Sequence, residues 1–266
     1  MTVRRGAGRW LPGLLVALAA VGVAGLWFVP RVPQPQWYHE FADRRTLLGI
    51  PNFWNVASNL PLALAGAWGL WRCGSARSLP GLRHAPARWM YAFFFGAVAL
   101  AGAGSFYYHW QPDNERLVWD RLPIALATMS LLAIVIAEWI DHRAGSRLFL
   151  PLLLLGAGTV VYWHLTERWG AGDLRPYLLS QLYAAIAIPL TLLSRPAAYS
   201  HGEKLYGALG WYVAARLFEL FDARIYAAGE IASGHTLKHL AAAASACMIY
   251  SWLRSRRPSG LSFGDR

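Results

Sequence analysis

Residues 89–109 read WMYAFFFGAVALAGAGSFYYH, an apolar run without a charged side chain until the closing histidine. The hydrocarbon core of a bilayer is about 30 Å thick, and a helix crosses it with roughly 20 apolar residues. This stretch therefore predicts a membrane-spanning helix. Seven further segments share its length and apolar character. The eight predicted spans are residues 10–30, 54–71, 89–109, 118–140, 148–164, 176–193, 205–221 and 235–253.

The composition supports lipid as the solvent of this chain. Of its 266 residues, 56% are hydrophobic and only 15% are charged, with a mean hydropathy of +0.31. A soluble domain normally carries about 25% charged residues. The net charge of +11 alone would suggest nucleic acid, but the basic residues lie in short connections between apolar segments and form no stripe or arm. We therefore expect an integral membrane protein that binds no nucleic acid and has no obligate protein partner.

Loop charges predict the orientation of the bundle. Lys and Arg are more frequent on the side of the N-terminus than on the opposite side, and cytoplasmic loops carry that excess. Both termini are therefore expected in the cytoplasm, which an even number of spans allows. The N-terminal side includes Arg4, Arg5, Arg9, Arg77, Arg83 and Arg266.

The domain organisation follows from the spans. Residues 1–36 form a cytoplasmic tip and an extra N-terminal helix, residues 37–254 a seven-helix domain, and residues 255–266 a basic cytoplasmic tail. The fold class is therefore an all-α, polytopic transmembrane bundle with a seven-helix core. The first segment also resembles a secretory signal peptide, but its apolar run exceeds the usual length and no clear cleavage site precedes Trp27, which favours a retained helix.

Five polar residues occur where apolar ones are expected. Ser105 and His109 lie one helical turn apart at the end of the third span, and His235 and His239 share one face at the start of the last span. Asp120 opens the fourth span. The predicted topology places all five near the same, non-cytoplasmic face. Ionisable groups at membrane depth are costly and usually functional.

These residue types suggest a hydrolytic metal site. Three imidazoles and an open position are the usual environment of catalytic zinc, which lowers the pKa of a bound water to about 7. A carboxylate such as Asp120 can accept a proton from that water, and a serine hydroxyl can donate to a developing oxyanion. Simpler roles remain open: interfacial histidines, an ion pair between Asp120 and Arg121, and a hydrogen bond from Ser105 to its own helix. Haem ligation is disfavoured, because two histidines on one helix face cannot supply axial ligands from opposite sides.

The order and spacing of these motifs resemble the alkaline ceramidases. These enzymes belong to a superfamily of seven-helix membrane hydrolases that includes the progestin and adiponectin receptors. The pattern consists of Ser105-x3-His109, then Asp120, then His235-x3-His239. Residues 52–59, NFWNVASN, also resemble the start of the family's first core helix. The similarity covers roughly residues 37–253.

The resemblance implies an activity and a set of roles. His109, His235 and His239 would bind zinc, and Asp120 and Ser105 would position the water and stabilise the transition state. The substrate would be ceramide or another N-acyl lipid, cleaved at its linear amide bond to a long-chain base and a fatty acid. The expected location is the bacterial inner (plasma) membrane, with the active site toward the non-cytoplasmic face.

The resemblance does not extend to a calcium site. Eukaryotic alkaline ceramidases carry an acidic calcium site before the first core helix. Here Asn52 occupies a position where an acid is expected, although Glu40 and Asp43 lie nearby. Calcium is therefore possible but not favoured.

Substrate contacts and alternative functions complete the expectations. Tyr108, Arg175 and Tyr177 are candidate substrate-binding residues, since a polar stretch near the same face could contact a lipid headgroup. Arg216 and Glu219 are expected to pair within the seventh span. The alternative functions are a receptor-like or signalling protein with a structural zinc and no turnover, and a membrane scaffold without metal.

Overall fold

The computed structural model describes residues 10–75, 79, 82, 88–195 and 199–257, and within these ranges the regular structure is helical. Each of the eight apolar segments contains a helix. Arg4, Arg5, Arg9, Arg77, Arg83 and Arg266, which entered the charge comparison, lie outside the described residues, as does most of the basic tail. The helices are α1 (Leu11–Gly25), α2 (Phe53–Ala57), α3 (Asn59–Gly74), α4 (Arg88–Trp110), α5 (Asn114–Val135), α6 (His142–Arg168), α7 (Arg175–Ser194), α8 (Glu203–Leu220), α9 (Asp222–Ala227) and α10 (Gly234–Ser255).

Four of these helices are long and apolar enough to cross a membrane: α4, α5 with its π-helical continuation Ile136–Ile140, α6 and α7. Large apolar side chains cover the outside of the bundle, including Leu64, Leu154 and Leu193, each more than half exposed. A soluble monomer rarely exposes so continuous an apolar surface. The chain is therefore consistent with an integral membrane protein.

Side-chain caps start three of the helices at defined residues. Asp113 accepts a hydrogen bond from the Arg116 amide before α5, and Asp141 accepts one from the Ala144 amide before α6. Ser233 caps α10 in the same way. Such caps satisfy amide groups that have no partner inside the helix.

Small residues allow α3 and α4 to pack closely. A Cβ atom on Gly66 would collide with the backbone of Ala99, and one on Gly102 with the backbone of Ala63. The helix α1 lies apart from this contact and packs along α7, where the Tyr183 hydroxyl donates to the Leu15 carbonyl at 3.1 Å. The end of α4 and the starts of α5 and α10 meet at one end of the bundle, and the candidate site lies there.

Candidate metal centre

Three buried histidines meet between α4 and α10. His109, His235 and His239 are 1%, 6% and 3% exposed, and one ring nitrogen from each lies within 4.8 Å of the others. The Nε2 atoms of His109 and His235 are 3.2 Å apart. The structure therefore brings His109 to a pair of histidines that follows it by 126 residues in the sequence.

The geometry fits a metal ion. Two nitrogens bound to one tetrahedral ion at about 2.0–2.1 Å would lie roughly 3.3 Å apart. Nε2 of His239 is buried and has no hydrogen-bond partner in the described part of the chain, and the same holds for Nδ1 of His109. An unpaired buried nitrogen is costly, and coordination of an ion would remove that cost at His239. Imidazole ligands suit zinc, copper, iron or nickel.

A serine outside the predicted set orients one of the histidines. Ser58 Oγ lies 2.8 Å from Nδ1 of His239 and 3.3 Å from the Asn55 carbonyl, to which it donates. The Ser58 oxygen therefore accepts a hydrogen bond from the Nδ1–H group of His239. In this tautomer Nε2 carries no proton and faces the other two rings. Sequence analysis missed this residue, because one serine in an apolar helix is common and carries no spacing signal.

A buried asparagine joins α2 to the start of α10. Asn55 is fully buried, and its Oδ1 accepts hydrogen bonds from Ser233 Oγ at 3.3 Å and Thr236 Oγ1 at 3.1 Å. Its Nδ2 donates to the Asp43 carbonyl at 3.2 Å. Because every partner is buried or backbone, this network fixes the position of the turn that carries His235.

The first turn of α10 is also held by a close approach and an acid. A Cβ atom on Gly234 would collide with the Phe218 carbonyl. Asp222 Oδ1 accepts from the His235 amide at 2.7 Å, and its Oδ2 accepts from the Ala42 amide at 3.1 Å. The backbone of the turn that carries His235 is thus joined to the loop that covers it.

Ser105 and Asp120 form a pair beside the histidines. Both are buried, at 4% and 7% exposure, and their side chains lie close enough to interact. Ser105 lies one turn from His109 on α4. A Cβ atom on Gly104 would collide with the Trp119 carbonyl, so this glycine lets α5 approach α4 closely enough for the pair to form.

Arg121 turns away from this pair. Its guanidinium lies over the rings of Tyr38, Trp163 and Tyr177 at 4.3–5.4 Å and donates to Gln34 Oε1 at 2.7 Å. The described residues show no ion pair between Arg121 and Asp120. Tyr177, a predicted substrate contact, therefore belongs to an aromatic cage around this arginine.

Phe41 covers the cluster. Its ring centroid lies 4.6 Å from those of both His109 and His235, and the side chain is 5% exposed. Tyr108, another predicted substrate contact, packs beside it, 6.0 Å from the Phe41 ring, and shares a 2.9 Å hydrogen bond with His39 Nδ1. Aromatic side chains thus cover this side of the histidine cluster.

Arg175 occupies a junction between helices. Its guanidinium donates to the Asp173 carboxylate at 2.7 Å and to the carbonyls of Leu26 and Val29 at the end of α1. This pairing lowers the pKa of Asp173. A role for Arg175 in substrate binding stays a prediction.

The acids considered for calcium are paired with arginines. Both carboxylate oxygens of Asp43 accept from Arg45, at 2.9 and 2.7 Å, and the exposed Glu40 pairs with Arg44 at 3.4 Å. Asn52 donates to the His109 carbonyl at 3.0 Å. These three residues do not converge on a calcium-like set of free oxygens.

The pairing expected in α8 is present. Glu219 contacts both Arg216 and, at 3.0 Å, Lys238 on α10. This network joins two helices next to His239 and compensates a buried ammonium group.

An apolar cavity of about 240 Å³ begins next to the site. Its wall includes Ala101, one turn before Ser105, Ile124, one turn after Asp120, and Ala242, three residues after His239. From there it runs between α4, α5, α7, α8 and α10 toward the opposite end of the bundle. The lining of this cavity is mostly apolar, and it comes within about one helical turn of Ser105, Asp120 and His239.

Neither a scan of protein-family models nor a search of curated proteins finds a match for this chain.

Proposed function

We propose that this chain is a zinc-dependent membrane amidase that hydrolyses the N-acyl bond of ceramide or a related N-acyl lipid. The observation that carries the proposal is the cluster of three convergent histidines, which lies with the buried Ser105 and Asp120 about one helical turn from the lining of an apolar cavity. The motif pattern similar to the alkaline ceramidases supports the substrate class. A seven-helix core with an extra N-terminal helix, both termini in the cytoplasm and the site near the other face complete the proposal.

The protein residues would divide the work as follows. His109, His235 and His239 hold the ion, which when bound supplies a Lewis acid and lowers the pKa of water. Asp120 accepts the proton of the attacking water at a carboxylate oxygen and returns it to the departing amine nitrogen. Ser105 donates its hydroxyl hydrogen to the carbonyl oxygen as negative charge develops there.

The cavity would orient the substrate. An acyl chain that fills the apolar space brings its amide carbonyl to the end where Ser105 and Asp120 lie. Aromatic cover from Phe41 keeps bulk water from that end, and exclusion of water strengthens the electrostatic interactions inside it. The long-chain base would remain toward the bilayer or the headgroup region.

The test is metal content and hydrolysis in purified protein. We expect His235→Ala to lose both stoichiometric zinc and cleavage of a fluorescent ceramide. Asp120→Asn should keep the metal and lose about 10²–10⁴-fold in rate, because only the proton transfer is removed. His142→Ala, at the start of α6, is the matched control and should retain both properties.

Two results would contradict the proposal. Full cleavage by metal-free protein would exclude a role for the ion. A stoichiometric metal without turnover of any N-acyl lipid would instead favour the receptor-like alternative with a structural zinc.

A further inference from the structure

The apolar cavity ends in a layer of three aromatic side chains. Tyr91, Trp139 and Trp252, here called the aromatic floor, line its far end and are 1–3% exposed. The rings of Trp139 and Trp252 lie 5.7 Å apart between centroids, and those of Tyr91 and Trp252 lie 6.4 Å apart. The floor therefore closes the space opposite the histidines.

A buried ion pair holds the floor in place. Arg256 Nη1 donates to Glu138 at 2.7 Å, and the Tyr91 hydroxyl donates to the same carboxylate at 2.8 Å. The Arg256 guanidinium also lies 4.5 Å over the Trp252 ring. Removing one partner of such a pair is strongly destabilising, so the floor side chains have little freedom to move aside.

A second cavity lies directly behind the floor. It has a volume of about 330 Å³ and shares Trp139, Leu192 and Leu205 with the first cavity. Those three side chains are therefore a partition between two spaces. Truncating one of them would lengthen the first cavity without disturbing the histidine end.

The depth of the cavity matches a long acyl chain. Trp252 follows His239 by thirteen residues on α10, which at 1.5 Å per residue is about 20 Å. The acyl chain of one leaflet spans about half of a 30 Å hydrocarbon core, or roughly 15 Å. A chain of ordinary membrane-lipid length can thus extend from the site nearly to the floor, whereas a much longer one would meet the indole rings.

We propose that Trp139, with Leu192 beside it, sets the longest acyl chain that this site accepts. The inference rests on the proposed function and adds a residue that determines chain-length specificity. Trp139 acts by its volume alone, at the end of the cavity farthest from the reacting atoms.

The experiment measures binding and cleavage separately. Delipidated protein in detergent is loaded with a mixture of saturated fatty acids of graded length, and the retained acids are identified by mass spectrometry. Ceramides of the same acyl lengths are then tested for hydrolysis. We expect Trp139→Ala to increase the chain length of the longest retained fatty acid by roughly four carbons or more. The indole buries ~150–250 Å², which is comparable to the surface of several methylene groups. Leu192→Ala should shift it less, in the same direction.

Controls separate the possible causes. Trp211→Ala removes an indole from the exposed face of α8, outside both cavities, and should keep the wild-type profile. Should Trp139→Ala fail to fold, Trp139→Leu and Leu192→Ala provide the same comparison with smaller changes.

The outcomes distinguish this inference from the proposed function. A shift in retained length without any hydrolysis would support the partition and reject the amidase. If the wild type, the Trp139 variant and Leu192→Ala all hydrolyse ceramide with the same chain-length profile, the role of the partition is rejected. The proposed amidase activity would be unaffected by that result.

Discussion

At the residue scale, the second ring nitrogen of each histidine decides whether the cluster can hold an ion. A histidine ligand must present an unprotonated nitrogen, and a hydrogen bond at the other nitrogen usually fixes this tautomer. Ser58 supplies that bond at His239. Metal affinity would therefore depend on the break between α2 and α3, which carries none of the three histidines.

Ser58→Ala is expected to weaken zinc binding by about 10- to 100-fold while the protein stays folded. The alanine removes the acceptor of the Nδ1 proton, so the tautomer that presents Nε2 loses its preference. Titration against a competing zinc chelator measures the dissociation constant. Ser130→Ala removes an equally buried serine hydroxyl within α5 and should leave the affinity unchanged; equal constants for the two variants would refute the role of Ser58.

The three histidines of the cluster were predictable from the sequence, and the residues that support them were not. The histidine pair spaced by four residues and the predicted topology together indicated the cluster. Ser58 and Asn55 act through side chains from another helix, and such contacts leave no periodic pattern in a single sequence. Arg175 is a similar case: its charge near the predicted face suggested a lipid contact, which stays a prediction, and its bonds to Asp173 and to the end of α1 were not predicted.

At the element scale, glycines determine how closely the helices approach. Gly104 lets the start of α5 lie against α4, which is what brings Asp120 to Ser105. Gly96, on the same helix, has only the Leu70 side chain nearby, at 3.8 Å. The two positions thus form a matched pair on α4, one with and one without a close backbone contact.

Gly104→Ala should destabilise the protein by about 1–3 kcal/mol, since α5 must shift to admit the methyl group. It should also lower ceramide hydrolysis more than metal content, because the shift moves Asp120 and leaves the three histidines together. Gly96→Ala should instead be neutral or stabilising by about 0.5–1 kcal/mol, because alanine favours a helix interior. Thermal unfolding, zinc analysis and rate measurements on both variants test these expectations. Equal stability and equal hydrolysis rates in the two variants would argue against the close approach of α5 at Gly104 as the cause of the loss.

Element positions followed closely from hydropathy, and their interruptions did not. The apolar runs marked each helix, since a membrane helix must be apolar for about 20 residues. The break at Ser58 between α2 and α3, the π-helical end of α5 and the short helix α9 arise from packing and hydrogen bonds that a hydropathy profile does not record.

At the scale of the whole molecule, one ion pair helps to join α1 to the bundle. Asp173 is 1% exposed, and Arg175 connects it to the carbonyls at the end of α1. Tyr162 on α6 also donates to Asp173, at 3.1 Å. Three helices therefore meet at this carboxylate.

Stability should fall in acid through Asp173. Arg175 lowers the pKa of this carboxyl in the folded protein, so the charged form stabilises the fold above the ordinary value of about 3.9, and that contribution is lost as the pH falls through the lowered pKa. Asp173→Asn should lower the unfolding temperature at neutral pH and flatten its decline in acid. Glu40→Gln, which removes an exposed carboxylate, should leave the dependence of the unfolding temperature on pH unchanged. The same pH dependence in Asp173→Asn as in the wild type would contradict this account.

Phe41 has a kinetic consequence for the ion. Its ring lies against two of the three imidazoles, and its neighbour Ala42 is hydrogen-bonded to Asp222. An ion held by the histidines can reach water only after this segment lifts away, so the rate of segment opening, more than the dissociation constant, would govern its escape. Zinc acquired during membrane insertion would then outlast long exposure to chelators, and Phe41→Ala would shorten that lifetime.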